Sequence, residues 1–214
     1  MQATNKKLAQ KNASVGKKAP AEAGLPMIVS LFSGAGGLDL GFAQAGFNVA
    51  IAIDSESAAI SSHSANFPNT KGIAADLVEL GPTGVSKLVQ QVIPTGAKIG
   101  VIGGPPCQGF SRANTASQHA DPRNELPSLY IRIIRKLQKL YSVEFVVFEN
   151  VLGIRDSRHA VKYAELLTDL KKSKFVVTEK ELCAVDFGVP QTRRRIVLSG
   201  SASARSARLR WMPT

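Results

Sequence analysis

A cysteine set among prolines and glycines is the first candidate for covalent chemistry. The run Gly103-Gly104-Pro105-Pro106-Cys107-Gln108-Gly109-Phe110-Ser111 follows the apolar segment Ile99-Gly100-Val101-Ile102 and can neither continue a strand nor form a helix interior. Cys107 therefore falls on a stiff loop at a strand's C-terminal edge, where open α/β sheets place their ligands. Two consecutive prolines lower the entropy cost of holding a nucleophile in place. Cys183, between Leu182 and Ala184, fits the default role of a small buried apolar residue. Glu149 follows the apolar run Phe145-Val146-Val147-Phe148 and so reaches the same edge. Burial there would raise its pKa and suit a general acid near neutral pH; an exposed or helix-capping glutamate is the alternative.

A glycine-rich turn offers a place for a ligand. Leu31-Phe32-Ser33-Gly34-Ala35-Gly36-Gly37-Leu38-Asp39-Leu40-Gly41-Phe42 leaves a strand and opens a helix, so its backbone amides can meet a bound group. The dinucleotide pattern G-x-G-x-x-G fails on spacing, because Gly34 and Gly36 fit but the third glycine falls on Asp39. Close backbone approach still suits a ligand without a pyrophosphate, such as S-adenosylmethionine; a tightly packed turn with no ligand is the competing reading. Asp54, with Glu56 a weaker candidate, ends a second strand where a carboxylate commonly faces ribose hydroxyls, unless it only caps the next helix. Asp76, after Ile73-Ala74-Ala75, falls where a third strand would end and could accept a bond from an adenine amino group.

The elements that must position these residues alternate. Short apolar runs at 28–32, 49–53, 99–102, 145–148 and 196–198 read as strands, and helical periodicity appears at 38–45, 57–64, 85–92, 129–140 and 161–170. This is an α/β pattern with a doubly wound, mostly parallel sheet. At 214 residues, 44% hydrophobic and 20% charged, the chain fits one domain and excludes a disordered or collagen-like polymer. A net charge of +11 favours a polyanionic partner, nucleic acid first. With two cysteines and no close pair, neither a disulfide framework nor a zinc site is expected. No apolar run reaches membrane-spanning length and no secretory signal is visible, so a soluble, intracellular protein is expected. Residues 1–24 read as a basic disordered tail, 25–200 as the core, and 201–214, with Arg205, Arg208, Arg210 and Trp211, as a linker or the start of a further region.

Four motifs, Phe32-Ser33-Gly34-Ala35-Gly36-Gly37, Pro105-Pro106-Cys107-Gln108, Glu149-Asn150-Val151 and Gln191-Thr192-Arg193-Arg194-Arg195, stand in the order and approximate spacing of DNA cytosine-5 methyltransferases, which the chain resembles over roughly residues 27–200. Asp121-Pro122-Arg123-Asn124 also resembles the family's segment between the second and third motifs. The resemblance implies a Rossmann-like S-adenosylmethionine-dependent methyltransferase core acting on double-stranded DNA. It implies that Cys107 adds to C6 of a flipped-out cytosine, that Glu149 serves N3, that Arg195 reaches the base and that Arg193 is structural. It further implies that Phe32 stacks on the cofactor adenine, that Ser33, Gly34, Ala35, Gly36, Gly37 and Leu38 line its methionine end, and that Asp76 faces the adenine amino group. Pro105 joins the cofactor-binding set, and positive charge near the thiol would favour thiolate. A cytoplasmic or nucleoid-associated microbial setting, paired with a restriction nuclease, follows from the family alone.

Two departures accompany the resemblance. Ala52 stands where the family usually carries a ribose-binding acid, so Asp54 or a neighbour would have to make that contact. A target-recognition region and a closing Gly-Asn-x-(Val)-Pro motif do not fit after Arg195, so the chain is expected to be the catalytic half, incomplete at its C-terminus and needing a second subunit or a missing part. A non-catalytic relic that binds cofactor or DNA is the alternative. A tRNA substrate, known in one branch, is disfavoured because no Cys-Phe-Thr segment occurs.

Overall fold

The computed structural model describes residues 24–106 and 125–202. Twelve elements carry the fold: β1 (Met27–Leu31), α1 (Gly37–Gln44), β2 (Val49–Asp54), α2 (Ser57–Asn66), β3 (Lys71–Ala74), α3 (Leu77–Gln90), β4 (Lys98–Gly103), α4 (Leu126–Leu137), β5 (Ser142–Asn150), α5 (Ala160–Lys172), β6 (Val176–Cys183) and β7 (Arg194–Ser201). They build a seven-stranded sheet of order β3-β2-β1-β4-β5-β7-β6. From β3 to β5 every pair is parallel; β7 runs antiparallel to both β5 and β6. The expected doubly wound, mostly parallel α/β fold is thus the observed one.

Burial explains why both faces are covered. Val29, Leu31, Ile51, Ile53, Ile99, Val101, Val146, Phe148, Ile196 and Leu198 pack with α3, α4 and α5 in the larger core. On the other face Ile28, Val49, Ile102, Phe145, Val147 and Val197 meet Leu38, Phe42 and Phe47, the last two belonging to α1 and its exit. Strands buried on two faces read as continuous apolar runs, which is why β1, β2, β4 and β5 were visible in the sequence.

Helix and strand limits differ from the sequence reading where local chemistry intervenes. The expected helix at 85–92 is the second part of α3, which begins at Leu77 because the Asp76 carboxylate caps its first turn, and which kinks at Gly81 (φ 56°) ahead of Pro82. α4 starts three residues earlier than expected, with proline in its first turn, where the missing N–H does no harm. β6 went unread because Val176-Val177-Thr178-Glu179-Lys180-Glu181-Leu182-Cys183 is a largely exposed edge without alternation. The short edge strand β3 was inferred only from its end at Asp76. Cys183 is half-buried at the end of β6, not in the core as expected. The described residues contain no helix long and apolar enough to cross a membrane. Most of the basic tail, residues 107–124 and the segment from 203 onward lie outside them.

Among the described glycines, the tightest approach of strand and side chain is in β4. A Cβ at Gly100 of β4 would stand 2.3 Å from the Phe145 ring, which Phe42 and Phe47 hold at centroid distances of 5.9 Å and 5.6 Å. The ring has nowhere to retreat. Gly100→Ala is expected to destabilise the chain by about 1–3 kcal/mol, read as a lower denaturation midpoint with unchanged slope.

Candidate functional site

Strand order reverses between β1 and β4: the chain leaves β1 toward β2 and β3, and leaves β4 toward β5. Segments beyond their C-terminal ends diverge and leave a crevice there. A cleft of about 320 Å³ occupies it, lined by Ser30, Leu31, Phe32, Ser33, Gly37, Leu38, Gly103, Gly104, Glu149 and Arg193. Its size suits a small molecule.

The turn from β1 into α1 forms one wall. Phe32 itself is in the left-handed region (φ 54°), as are Gly34 (φ 53°) and Gly36 (φ 92°). For phenylalanine this conformation is uncommon and marks a position held by its surroundings. Gly36 is the N-cap residue of α1 and no side chain caps the helix, so its first amides have no side-chain acceptor from the protein. The Ser33 hydroxyl oxygen is buried without a hydrogen-bond partner and lies in the cleft wall.

Asp54 braces this turn from β2. Its Oδ2 accepts from the Gly34 N–H (2.8 Å) and its Oδ1 from the Glu56 N–H (2.9 Å). Glu56 caps α2 and Asp76 caps α3. None of these three carboxylates lines the cleft, and Asp54 acts in the structure as a tie between β2 and the glycine turn. Gly34, Ala35 and Gly36 are likewise outside the lining, with Gly36 turned toward His63 and Phe67.

β4, β5 and the residue that leads into β7 supply the opposite wall. A Cβ at Gly103 would approach the Leu31 carbonyl oxygen to 2.6 Å, so this position requires glycine; one at Gly104 would come within 2.9 Å of Glu149 Oε2, the movable end of a side chain. Glu149 pairs with Arg195, Oε1 to Nε 2.9 Å, the two side chains being 29% and 23% exposed. Glu149 is therefore half-buried, with a guanidinium facing its carboxylate. Strand alternation sends Arg194 elsewhere. It meets Glu181 (3.1 Å), which also binds Arg155 (2.6 Å), and the two guanidiniums hold the Glu181 carboxyl below its ordinary range. Arg193, expected to be structural, lines the cleft.

Cys107 lies outside the described residues, as does Asp121-Pro122-Arg123-Asn124, but the chain leading to Cys107 is fixed up to Pro106. The buried Asn150 Nδ2 donates to the Pro105 carbonyl (3.2 Å), while its Oδ1 accepts from the Val151 N–H (2.8 Å). Nothing local in the sequence marks this tether; Asn150 stands out there only as the middle of Glu149-Asn150-Val151. No cluster of metal-ligating side chains occurs among the described residues.

Comparison with known proteins agrees with this architecture. Residues 27–210 match the profile of C-5 cytosine-specific DNA methylases. The chain is 36% identical over 183 residues to type II methyltransferase M.DdeI of Desulfomicrobium norvegicum, covering 83% of this chain and 41% of that protein. It is 34% identical over 189 residues to type II methyltransferase M.AquIA of Picosynechococcus sp., covering 81% and 71%. A crystal structure of an Escherichia coli prophage-encoded protein, assigned as a DNA modification methyltransferase, superposes with a TM-score of 0.69 at 31% identity, over 83% of this chain and 47% of the other. The chain belongs to the C-5 cytosine-specific DNA methylase family. It spans less than half the length of M.DdeI.

The Asn150 tether gives a direct test of how the loop is held. Asn150→Ala strands the Pro105 carbonyl and the Val151 N–H, and is expected to lower stability by about 1–3 kcal/mol, measured by urea denaturation.

Proposed function

We propose that this chain carries the catalytic half of a DNA (cytosine-5-)-methyltransferase, transferring a methyl group from S-adenosyl-L-methionine to C5 of a flipped-out cytosine in double-stranded DNA. The observation that carries the reading is the convergence of three sequence motifs on one cleft at the strand-order reversal: the glycine turn, Glu149, and the arginine segment through Arg193 and the Arg195–Glu149 pair. The fourth motif begins at Pro105, anchored to Asn150 beside Glu149.

The residues present fit the cofactor. Ser33 offers an unpartnered hydroxyl, Gly37 has open space where a Cβ would stand, and α1 presents uncapped amides. Phe32, Ser33, Gly37 and Leu38 would hold it. Asp54 would act through the shape of the turn, and a ribose contact would use its remaining lone pairs or Glu56. Asp76 retains one carboxylate oxygen for an adenine amino group. When bound, the cofactor supplies an electrophilic methyl group.

Cytosine C5 is too weakly nucleophilic to take that group unaided, so the ring is activated first. The Cys107 thiolate adds to C6 and moves the C5–C6 π pair toward C5. Glu149 holds the N3 edge and neutralises the charge that develops there, with Arg195 orienting its carboxyl group. After methylation, loss of the C5 proton to a base and expulsion of the thiolate restore the aromatic ring. Because C6 is hidden inside a duplex, the base must leave the stack. Sequence-specific reading of the grooves would come from a target-recognition part beyond this core, in the same polypeptide or in a second subunit.

Trapping tests the reading. DNA carrying 5-fluorocytosine, incubated with S-adenosylmethionine, this chain and a polypeptide supplying the target-recognition half, is expected to form a covalent adduct resistant to denaturation. Cys107→Ala should abolish it; an adduct that survives the substitution overturns the mechanism.

A further inference from the structure

A buried polar chain runs behind the glycine turn. Ser30 of β1, in the cleft wall, donates its hydroxyl to Asp39 Oδ1 (2.6 Å), and Asp39 Oδ2 lies 2.7 Å from His63 Nε2 on α2. Ser30 is 1% exposed and the other two are fully buried. As a carboxylate Asp39 only accepts, so the imidazole carries its proton on Nε2. His63 Nδ1 has no partner. The imidazole lies tilted against Phe67, ring centroids 4.5 Å apart, and both rings close over Gly36, where a Cβ would come within 2.8 Å of His63 Cδ2 and 2.5 Å of Phe67 Cε2.

Burying a carboxylate and an imidazole costs several kcal/mol before pairing, and apolar side chains would fill the same volume at less expense. Polar directionality is what this arrangement adds. Asp39 occupies the place of the third glycine in the dinucleotide pattern, whose role is close packing of helix on strand. Here two hydrogen bonds set that spacing instead. They join β1, the first turn of α1 and α2, enclosing the Gly34 to Gly37 turn between Ser30 on the cleft side and the His63–Phe67 pair behind it.

We infer that Ser30, Asp39 and His63 are positioning residues for the sulfonium nucleoside site: they hold the β1–α1 turn in the one shape that presents its amides and Ser33 to the cofactor. The inference rests on the reading given under Proposed function and concerns affinity, not chemistry. Disturbing the chain should weaken cofactor binding out of proportion to its effect on folding.

The test is calorimetric titration of the full chain with S-adenosylmethionine, at a temperature where circular dichroism shows every variant folded. Ser30→Ala and Asp39→Asn are expected to weaken binding by about tenfold, in line with the loss of the partners that orient metal ligands. His63→Gln, which keeps a donor toward Asp39, should bind more tightly than His63→Leu. Tyr141→Phe is the control, since it removes a buried hydrogen bond to the Ile93 carbonyl away from the cleft; it should lower the melting temperature and leave the dissociation constant unchanged. If Asp39→Asn does not fold, Ser30→Ala and the two His63 variants decide. Wild-type affinity in Ser30→Ala and His63→Leu, with only a lower melting temperature, overturns the inference and leaves the functional reading standing. Absence of binding by the unsubstituted chain, both alone and together with a polypeptide supplying the target-recognition half, overturns both.

Discussion

β1 and β4 lie side by side, yet the chain leaves them in opposite directions across the sheet, and this divergence is the constraint on which the site depends. Among the described residues, the segments that follow these two strands diverge and leave a cleft beyond their ends. The glycine turn arrives from β1, Gly103 and Gly104 from β4, and Glu149 from the end of β5. Arg195 reaches the same edge only because β7 runs against β5: with Asn150 opposite Ile196, the first residues of β7 fall beside the last of β5. An antiparallel strand in an otherwise parallel sheet is what brings a guanidinium to a carboxylate there.

Close backbone approaches tighten that geometry. The missing Cβ atoms at Gly103 and Gly104 let β4 lie against the Leu31 carbonyl and the Glu149 carboxylate. Just below, the buried Tyr130 hydroxyl donates to the carbonyls of Val101 and Val147, pinning β4 and β5 under the cleft, and burial pushes its pKa well above the ordinary phenol value. The floor of the cleft is therefore fixed by hydrogen bonds as well as by apolar packing.

Much of this was legible in the residues. The two-sided burial of β1, β2, β4 and β5 leaves apolar runs, and the glycines, prolines and carboxylates at their ends announce the edge where ligands bind. What could not be read depends on partners distant in the chain. Glu149 looks buried when judged from Phe145-Val146-Val147-Phe148, but its exposure is decided by the cleft and its charge partner by β7. Asp54 and Asp76 carry the right chemistry at the right strand ends, yet backbone amides take up one or both of their oxygens. β6 gave no signal because an exposed edge strand of Glu, Lys and Thr has no apolar face to announce it. Asp39 did leave a trace, as the residue that breaks the glycine pattern, although its link to His63 had no local mark.

The sheet order also dictates how the molecule must be assembled as it is synthesised. β5 is made before β6, yet β6 never pairs with it; the vacant side of β5 waits for β7, which slips in between the two. Until then a strand as apolar as Phe145-Val146-Val147-Phe148 offers unpaired backbone groups to any passing chain. Arg195 belongs to that late strand, so the carboxylate at the end of β5 gains its counter-charge in the same event that seals the vulnerable edge. A nascent chain halted short of β7 would thus leave both the edge of β5 and the Glu149 carboxylate without their partners.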